Sequence, residues 1–367
     1  MASTFKDIKP SDRVSTRTLL HEAIPITGTI VSGTYGAFQS EHNIKNYSHG
    51  MFQSVYDYPY LSSSANHIFD ITVGLAPDSV LSSSTNNQGA KKINIYNQMA
   101  QVCVGYNVTG GIQRFDEDGD ILAGGRKISE ALFLNLTRLL VKDEIKKGTI
   151  SLTMGVESAF ATPFGKLITI TDAGGTSDYK VNSPVGEYGV LYASGGAVDQ
   201  SAASFSTTYD AAAVGLVFYQ AGVMVLTSSI FKDLADNGIL KNLTGSSQMD
   251  GDLRPISQVL TGSAISGNAD FLRHRIGNLQ FNNTVELNST IYFCRANHNE
   301  FNYSSNPTYL SSSQIRVKQI SSDEPISYIT SVGLYSENNE LLAVGKLSEP
   351  LKKTPANEFT IRTRLDY

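Results

Sequence analysis

The sequence has little of what a disulfide-stabilised or nucleic-acid-binding protein needs. Its 367 residues include two cysteines, too few for a disulfide framework or a four-thiolate metal site. Cys103 and Cys294 lie in apolar stretches, so we expect both to be buried as small hydrophobic side chains. The net charge of −5 provides no basic field for broad binding of nucleic acid, and we expect no nucleic-acid partner.

Long apolar runs are missing as well. No stretch approaches the roughly 18 consecutive apolar residues that a membrane span needs. The first residues, MASTFKDIKPSDRVSTR, contain no apolar segment of the signal-peptide type. We therefore expect a soluble protein, made and folded in a reducing cytoplasm, with no membrane partner.

Local catalytic motifs are not found either. The six histidines show no metal-ligand spacing such as HExxH, and the chain has no GxSxG elbow and no glycine-rich phosphate loop. We therefore expect no enzymatic activity, no catalytic residues and no cofactor. A Ser/His/Asp triad assembled from distant residues is beyond what the order of residues can show.

One acidic motif resembles a cation site. Asp116-Glu117-Asp118-Gly119-Asp120 places four carboxylates around a glycine, and carboxylate oxygens are the ligands that calcium prefers. A full EF-hand loop needs an acidic residue at position twelve, and here that position is Lys127. The motif therefore favours an acidic turn in solvent over calcium binding, and we predict no metal site.

The composition favours contacts between subunits. Charged residues make up 17% of the chain, below the roughly 25% of typical soluble domains, and Ser, Thr, Asn and Gly replace them. Uncharged polar surface is cheaper to desolvate than charged surface, which suits extensive interfaces.

The beginning of the chain is typical of an extended arm. Residues 1–50 are polar, interrupted by Pro10 and Pro25, and show no sustained helical period. They form either a frayed terminus or an arm that orders against a neighbouring subunit. In the second case the contact residues are its apolar side chains, Phe5, Leu19, Leu20 and Ile24.

Residues 51–268 are predicted to form an α+β core domain. Ile68–Val73 alternates like a strand and ends at a glycine. A helix is predicted in KKINIYNQMAQVCVGY, with one face made by Ile95, Met99, Val102 and Tyr106. A second helix is predicted in SEALFLNLTRLLVKDEIKK, followed by a strand that begins near Ile150. The segment VGLVFYQAGVMVLTSS predicts two buried strands folded at Gln220-Ala221-Gly222.

Residues 269–367 are predicted to form an antiparallel β domain. Strands are expected around residues 273–281, 285–296, 314–320, 328–335, 341–346 and 358–365, with turns that include Asn282-Asn283 and Glu337-Asn338-Asn339. The predicted fold class is α+β and strand-rich. It has two main helices in the first half and an antiparallel β meander or sandwich in the C-terminal third.

A cluster of aromatic residues in the C-terminal third is a second candidate interface. The stretch FNYSSNPTY contains Phe301, Tyr303 and Tyr309. Tyrosine covers contact area at low entropic cost, which favours an interface. The alternative is a loop whose aromatic rings pack on their own domain.

Several stretches, in order, resemble a structural protein family of large contractile-tailed phages, particularly those of marine cyanobacteria. They lie between residue 52 and the end of the chain: FQSVYDYPY, IFDITVGL, INIYNQMAQVCVGY, FLNLTRLLVKDEIKKGTISLTMG, VGLVFYQAGVMVLTSSIF, EFNYSSNPTYL and YITSVGLYSENNELLAVGKLSEPLKK. The last stretch is also similar to a strand–turn–strand unit of phage tail-fibre and baseplate proteins. The resemblance implies a place in the virion and brings no catalytic or cofactor residues.

The resemblance and the composition together predict a bacteriophage virion structural protein, a baseplate or tail component that joins fibres to the tail. Its expected partners are other virion structural proteins and copies of itself. Three alternatives stay open: a receptor-binding or fibre-like protein, a neck or capsid decoration protein, and, least favoured, an enzyme such as a tail lysin.

Overall fold

The computed structural model describes most of the chain. The described residues are 5–24, 43–56, 59–82, 87–121, 124–136, 144–157, 162–241, 260, 265–303, 310–311, 314–315, 322 and 324–366. Contacts divide the chain into two compact units. The terminal unit comprises Met1–Leu20 and Glu286–Tyr367, and the central unit comprises His21–Val285. Residues 5–20, which were predicted to lie in a separate arm, belong to the terminal unit.

Strands dominate the described residues. They are β1 (Arg13–Ile24), β2 (Ile44–Asn46), β3 (Gln53–Tyr56), β4 (His67–Leu75), β5 (Glu130–Asn135), β6 (Glu144–Ile145), β7 (Ser151–Gly155), β8 (Leu167–Thr171), β9 (Lys180–Ser183), β10 (Gly186–Ser194), β11 (Phe205–Ser206), β12 (Ala211–Phe218), β13 (Val223–Thr227), β14 (Ile276–Ala296), β15 (Leu310–Ser311), β16 (Gln314–Ile315), β17 (Ser327–Tyr335), β18 (Leu341–Lys353) and β19 (Phe359–Asp366). The α-helices are α1 (Asn87–Cys103) and α2 (Ile265–Arg275). Short 3₁₀ turns lie at Pro10–Asp12, Pro163–Gly165, Ser228–Phe231 and Leu234–Asp236.

The central unit is built on an antiparallel sheet in the order β14-β7-β8-β10-β12-β13-β5-β4-β3-β2. Short strands extend it locally: β6 pairs with β14, β9 with β10 and β11 with β12. Every residue of β12 and β13 is buried, so the middle of the sheet is covered on both faces. Both α1 and α2 pack against β4.

Aromatic rings fill the centre of the core. Phe115 is fully buried, and its ring meets those of Tyr96, Phe133 and Phe218 at centroid distances of 5.4, 5.7 and 6.1 Å. These edge-on contacts are the arrangement that aromatic rings prefer. The Tyr96 hydroxyl also donates a hydrogen bond of 2.7 Å to the carbonyl of Ile128, so its one polar atom is satisfied.

The fold prediction is wrong about the position of the helices. The segment predicted as the second helix contains β5, whose four middle residues, Ala131–Leu134, are all buried. β5 lies between β4 and β13, and a strand that is buried on both faces reads as a continuous apolar run. Such a run cannot be distinguished from a buried helix by its period alone, which explains the error. Residues 137–143 lie outside the described residues.

The second helix instead lies in the second half of the chain. The α2 residues Ile265, Ala269 and Leu272 are buried at the i, i+4 and i+7 spacing of one helical face. The sequence predicted no helix here and a strand around residues 273–281. The helices are therefore not confined to the first half.

The predicted face of α1 is rotated from the observed one. Val102 and Tyr106 were expected to face the core and are more than half exposed. The residues that do face it are Tyr96, Ala100 and Cys103. Burial of Cys103 confirms the prediction for that cysteine, and burial raises the pKa of its thiol to about 12.

Two further predictions for the strands are wrong. β14 continues through Asn282-Asn283, which were expected to form a turn. Asn283 pairs with Ile145, and the carbonyl of Asn282 accepts a hydrogen bond of 2.7 Å from the backbone of Lys146, so the sheet pairs the backbone here in place of a turn. Cys294, expected to be buried, is partly exposed on the same strand.

The predicted hairpin in the middle of the chain is confirmed. β12 and β13 pair antiparallel, with Phe218 opposite Val223. Gly222 in the turn has a φ of 65°, a left-handed conformation that glycine adopts without strain.

The terminal unit has its own strands. The second part of β14 pairs with β19 from Ser289 opposite Asp366 to Ala296 opposite Phe359, and β1 is its other neighbour. In β19, half-buried and exposed residues alternate along the whole strand. This period of two is that of a strand with one covered face. β15 pairs with β16, and β17 pairs with β18.

We predict that Phe115→Ala lowers the free energy of unfolding of the central unit by about 3–5 kcal/mol, because it opens a cavity in a packed core. Urea titration followed by far-ultraviolet circular dichroism measures this change. Tyr106→Ala removes an aromatic ring that is 54% exposed and serves as the control, with an expected change below about 0.5 kcal/mol. Equal losses in the two variants would contradict the central role of Phe115.

Candidate functional site

The hairpin of β17 and β18 exposes apolar side chains to solvent. Its register runs from Ser327 opposite Lys353 to Tyr335 opposite Leu341. Tyr335, Leu341 and Val344 are 46%, 54% and 60% exposed. A Cβ atom on Gly333 would lie within 3.3 Å of the side chains of Tyr335 and Leu341, and Val344 is the residue opposite Gly333. These four residues therefore share one face, which we call the hairpin face.

Phe5 extends the hairpin face. Its ring packs edge-on against Tyr335 with a centroid distance of 4.8 Å, and Phe5 itself is 47% exposed. The next residue, Lys6, forms an ion pair with Glu300 and donates a hydrogen bond of 3.1 Å to the carbonyl of Arg295. One predicted contact residue of the N-terminal segment thus lies at an exposed apolar surface.

The other predicted contact residues of that segment lie on β1. Leu19, Leu20 and Ile24 are in its second half, and their side chains lie outside the described residues. The first half of β1 is a neighbour of β14 in the same chain, and the hydroxyls of Ser15 and Thr290 lie 3.2 Å apart.

The predicted aromatic loop is only partly described. Phe301 and Tyr303 are 39% and 46% exposed, and Tyr309 lies outside the described residues. Phe301 has a φ of 54°, and its carbonyl accepts a hydrogen bond from the hydroxyl of Ser327, the first residue of β17. The two described aromatic residues are therefore available for contacts and do not form a core of their own.

Lys353 joins this loop to the base of the hairpin. It is fully buried, and its ammonium donates hydrogen bonds to the carbonyls of His298 and Thr354 at 3.2 and 2.8 Å and to Oδ1 of Asn302 at 2.7 Å. Burial lowers the pKa of this lysine. Three accepting oxygens match the three donors of an ammonium group, so the base of the hairpin is fixed by a satisfied charge.

The acidic motif forms the loop of a short ladder in the central unit. The backbone N–H of Glu117 donates to the carbonyl of Arg126 at 3.0 Å, and that of Ile128 donates to Phe115 at 2.9 Å. Within the loop, carboxylate atoms of Asp116, Asp118 and Asp120 all lie within 4.8 Å of one another. Within the part of the chain that the structure describes, these three residues form the group that could hold a metal ion.

A lysine reaches into this acidic group. The Lys127 ammonium pairs with the fully buried carboxylate of Asp116, lies 3.9 Å from Asp120 and donates to the carbonyl of Ile121 at 3.2 Å. The residue at which the calcium motif fails thus supplies a positive charge to the same carboxylates. Burial and the neighbouring Asp118 raise the pKa of Asp116, and Lys127 opposes this shift.

A second polar network lies under the sheet of the central unit. The Asp172 carboxylate accepts hydrogen bonds from the backbone of Gly148 at 2.6 Å and of Ile150 at 3.0 Å, and from the hydroxyl of Tyr219 at 3.1 Å. Burial raises the pKa of Asp172 to about 6, although these three donors oppose the shift. The network ties β8 to the turn before β7.

Lys147 neutralises two further carboxylates beside this network. Its ammonium lies 3.2 Å from Glu144 and 2.5 Å from Glu187, and 5.3 Å from the centre of the Tyr219 ring. The shared ammonium therefore joins β6, which contains Glu144, to β10, which contains Glu187.

No family model, no curated protein and no solved structure matches this chain. Among the described residues, no helix is long and apolar enough to cross a membrane.

Two features of these sites were not predicted from the sequence: the positive charge that Lys127 supplies to the acidic loop, and the exposure of the hairpin face. From the sequence, Lys127 was treated only as the residue that breaks the calcium-loop pattern. Its positive charge, eleven residues from Asp116, was a signal that the two residues pair across a short ladder. The hairpin was identified as a unit, but its exposure was not, because alternating apolar residues normally indicate a covered face.

We predict that Lys127→Met lowers the free energy of unfolding by about 3 kcal/mol, because it leaves the Asp116 carboxylate buried without its cation. Thermal or urea unfolding measures this loss. The control is Lys180→Met, which removes the exposed ion pair with Asp178 and should change the free energy by less than about 1 kcal/mol. Similar losses in both variants would show that the Asp116 pair contributes no more than a surface pair.

The burial of Asp172 predicts that the central unit loses stability as the pH rises. The pKa of its carboxyl is about 6 in the folded protein against an ordinary value of 3.8, so the folded state binds more protons between these values. The contribution is complete below about pH 4 and is lost as the pH rises through 6, by about 3 kcal/mol for a shift of this size. Unfolding free energies from pH 4 to 8 should show the wild-type advantage over Asp172→Asn shrinking across this range. An advantage that is independent of pH would contradict the assignment.

Proposed function

We propose that this chain is a non-enzymatic structural subunit of a bacteriophage virion, a baseplate or tail component whose role is to make contacts between subunits. The observation that carries the proposal is the hairpin face. Four apolar or glycine residues on one face of a two-stranded sheet, together with Phe5, form a contiguous exposed apolar surface. Contiguous apolar surface of this kind marks sites of protein–protein contact.

A two-stranded hairpin supports the same proposal through its own energetics. An isolated hairpin is marginally stable in water, and three or more strands or a covering element are needed for independent stability. In β18 no residue before Lys353 is buried; Ala343, Leu347 and Leu351 are half-buried and the other residues before Lys353 are exposed. A neighbouring subunit on the hairpin face would supply the missing cover.

The place in a virion comes from the resemblance of the ordered stretches to phage structural proteins. The last of these stretches, YITSVGLYSENNELLAVGKLSEPLKK, covers β17, its turn and β18, which is the same hairpin. Sequence resemblance and exposed surface thus coincide in one element. The joining of fibres to the tail is the finer part of the proposal.

The proposal predicts that the chain is found at the distal end of the tail in purified particles. Gold-labelled antibody, or assignment of the chain in a cryo-electron microscopy map, tests this. Label on the neck or capsid would replace the baseplate position by a decoration role. Absence from intact particles would overturn the proposal.

The hairpin face can be tested in the same particles. Val344→Asp places a charge on the face without disturbing a buried residue, and we expect it to reduce incorporation of the chain at least tenfold, measured by quantitative mass spectrometry of purified particles. Thr360→Asp, an exposed position of β19, is the matched control and should be incorporated normally. Normal incorporation of Val344→Asp would exclude this face as the contact.

A further inference from the structure

The acidic loop, residues 116–121, follows the ligand spacing of a calcium loop. Asp116, Asp118 and Asp120 stand at its positions one, three and five. Ile121 stands at position six, where an EF-hand loop has a glycine for a sharp turn, and its φ of 35° is left-handed. Position twelve, which holds the bidentate acid of an EF-hand, is Lys127. The loop thus has the turn of a cation site and carries a cation in place of its last acid.

The three aspartates of the loop are close enough to share one cation. One carboxylate oxygen from each lies within 4.8 Å of the other two. Calcium binds oxygen at about 2.3–2.6 Å, so two ligands on opposite sides of one ion are roughly 5 Å apart. Carboxylates at this distance repel one another unless a positive charge lies among them. The arrangement therefore favours a cation between the carboxylates.

The ammonium of Lys127 provides that cation. Lys127 is the partner of Asp116 in the ladder, so the two side chains leave the ladder on the same side. The ammonium pairs with Asp116, which is fully buried, lies 3.9 Å from Oδ1 of Asp120 and donates a hydrogen bond of 3.2 Å to the carbonyl of Ile121. A simple ion pair would need one carboxylate. Two carboxylates together with a backbone carbonyl are the mixture of oxygen ligands that surrounds a calcium ion in such a loop.

The loop is held in this shape by the rest of the central unit. The hydroxyl of Tyr188 donates a hydrogen bond of 3.0 Å to the carbonyl of Gly119. A Cβ atom on Gly119 would lie 2.5 Å from the side chain of Val190, so the loop packs directly on β10. The buried carboxylate of Glu117 pairs with Arg126 at 3.5 Å, outside the group of three. Contacts of the protein itself therefore position the loop, which lowers the cost of binding a cation there.

We propose that this loop is a calcium-type site whose cation is the ammonium of Lys127, so that the chain occupies the site itself and excludes calcium. A tethered ammonium is present at a high effective concentration, and a free ion can enter only by displacing it. Removal of the ammonium with the aspartates intact therefore turns the loop into a calcium site. This inference concerns the central unit and does not depend on the proposed virion role.

The test is calcium binding to the full-length chain, measured by isothermal titration calorimetry. We expect Lys127→Met to bind calcium with a dissociation constant of about 1 mM or lower, at the weak end of the range for calcium-binding modules. The wild type should bind at least tenfold more weakly, because calcium must first displace the ammonium. The unfolding midpoint of Lys127→Met should rise by at least about 3 °C in about 10 mM calcium relative to EDTA, whereas that of the wild type should not change.

Matched variants separate occupation of the site from a general change of charge. Lys127→Arg keeps a cation at the site and should gain no calcium binding. Lys346→Met removes an exposed lysine of the terminal unit and should gain none either. Adding Asp118→Asn to Lys127→Met should weaken calcium binding at least tenfold. Adding Asp366→Asn, which removes an exposed carboxylate of the terminal unit, should leave it unchanged.

Circular dichroism shows whether each variant is folded. If Lys127→Met is unfolded in EDTA, we expect calcium to restore its structure, and Lys127→Gln, which keeps a polar side chain at this position, is the second variant. Calcium that neither binds these variants nor restores their folding would overturn the inference and leave Lys127 as an ion-pair partner of Asp116 alone. Equal calcium binding by the wild type and Lys127→Met would also contradict it, because the ammonium would then not occupy the site.

Discussion

The constraint on which this structure depends is that every strand edge needs a partner or protection. In the central unit a continuous antiparallel ladder satisfies it from β14 to β2, so the middle strands can be wholly apolar. The polar residues Asn282 and Asn283 are held within a strand because neighbouring backbone accepts and donates their hydrogen bonds. In the terminal unit the same constraint is met for β18 by its sequence, and β17 pairs with β18 alone among the described residues.

Few residues of this chain are charged, and three of its lysines have well-defined sets of partners. Lys127, Lys147 and Lys353 each meet two or more accepting groups. Asp116, Glu144 and Lys353 itself are buried, whereas Asp120 is 45% exposed. A buried ammonium without such partners would cost several kcal/mol, so each of these lysines fixes the segments that supply its acceptors. These contacts join segments whose relative position the hydrophobic pattern alone does not determine. Lys127 joins the acidic loop to its ladder, Lys147 joins a turn to a strand, and Lys353 joins the aromatic loop to the base of the hairpin.

The elements that were predicted correctly are those whose hydrophobic pattern fits only one kind of secondary structure. The alternation in β4 and the glycine turn between β12 and β13 were identified correctly because no other element fits them. β5 was not, because burial on both faces removes the period that identifies a strand. α2 was missed for the opposite reason: its three core residues are spaced correctly, but polar neighbours hide them. The exposure of the candidate contact residues was also hard to predict from the sequence, because it depends on neighbours that are distant in sequence.

The exposed apolar residues of the hairpin are best interpreted together with the chemistry of its two strand edges. Scattered exposed apolar side chains are ordinary on protein surfaces. On β17 and β18, however, exposed Tyr335 and Val344 flank an edge without charge, proline or bulge, while the other edge of the same hairpin has all three. A strand added at the β17 edge would pair its backbone groups, whereas the apolar side chains of the hairpin face would need a separate covering element. Both features support the proposal that this hairpin lies at a contact between subunits.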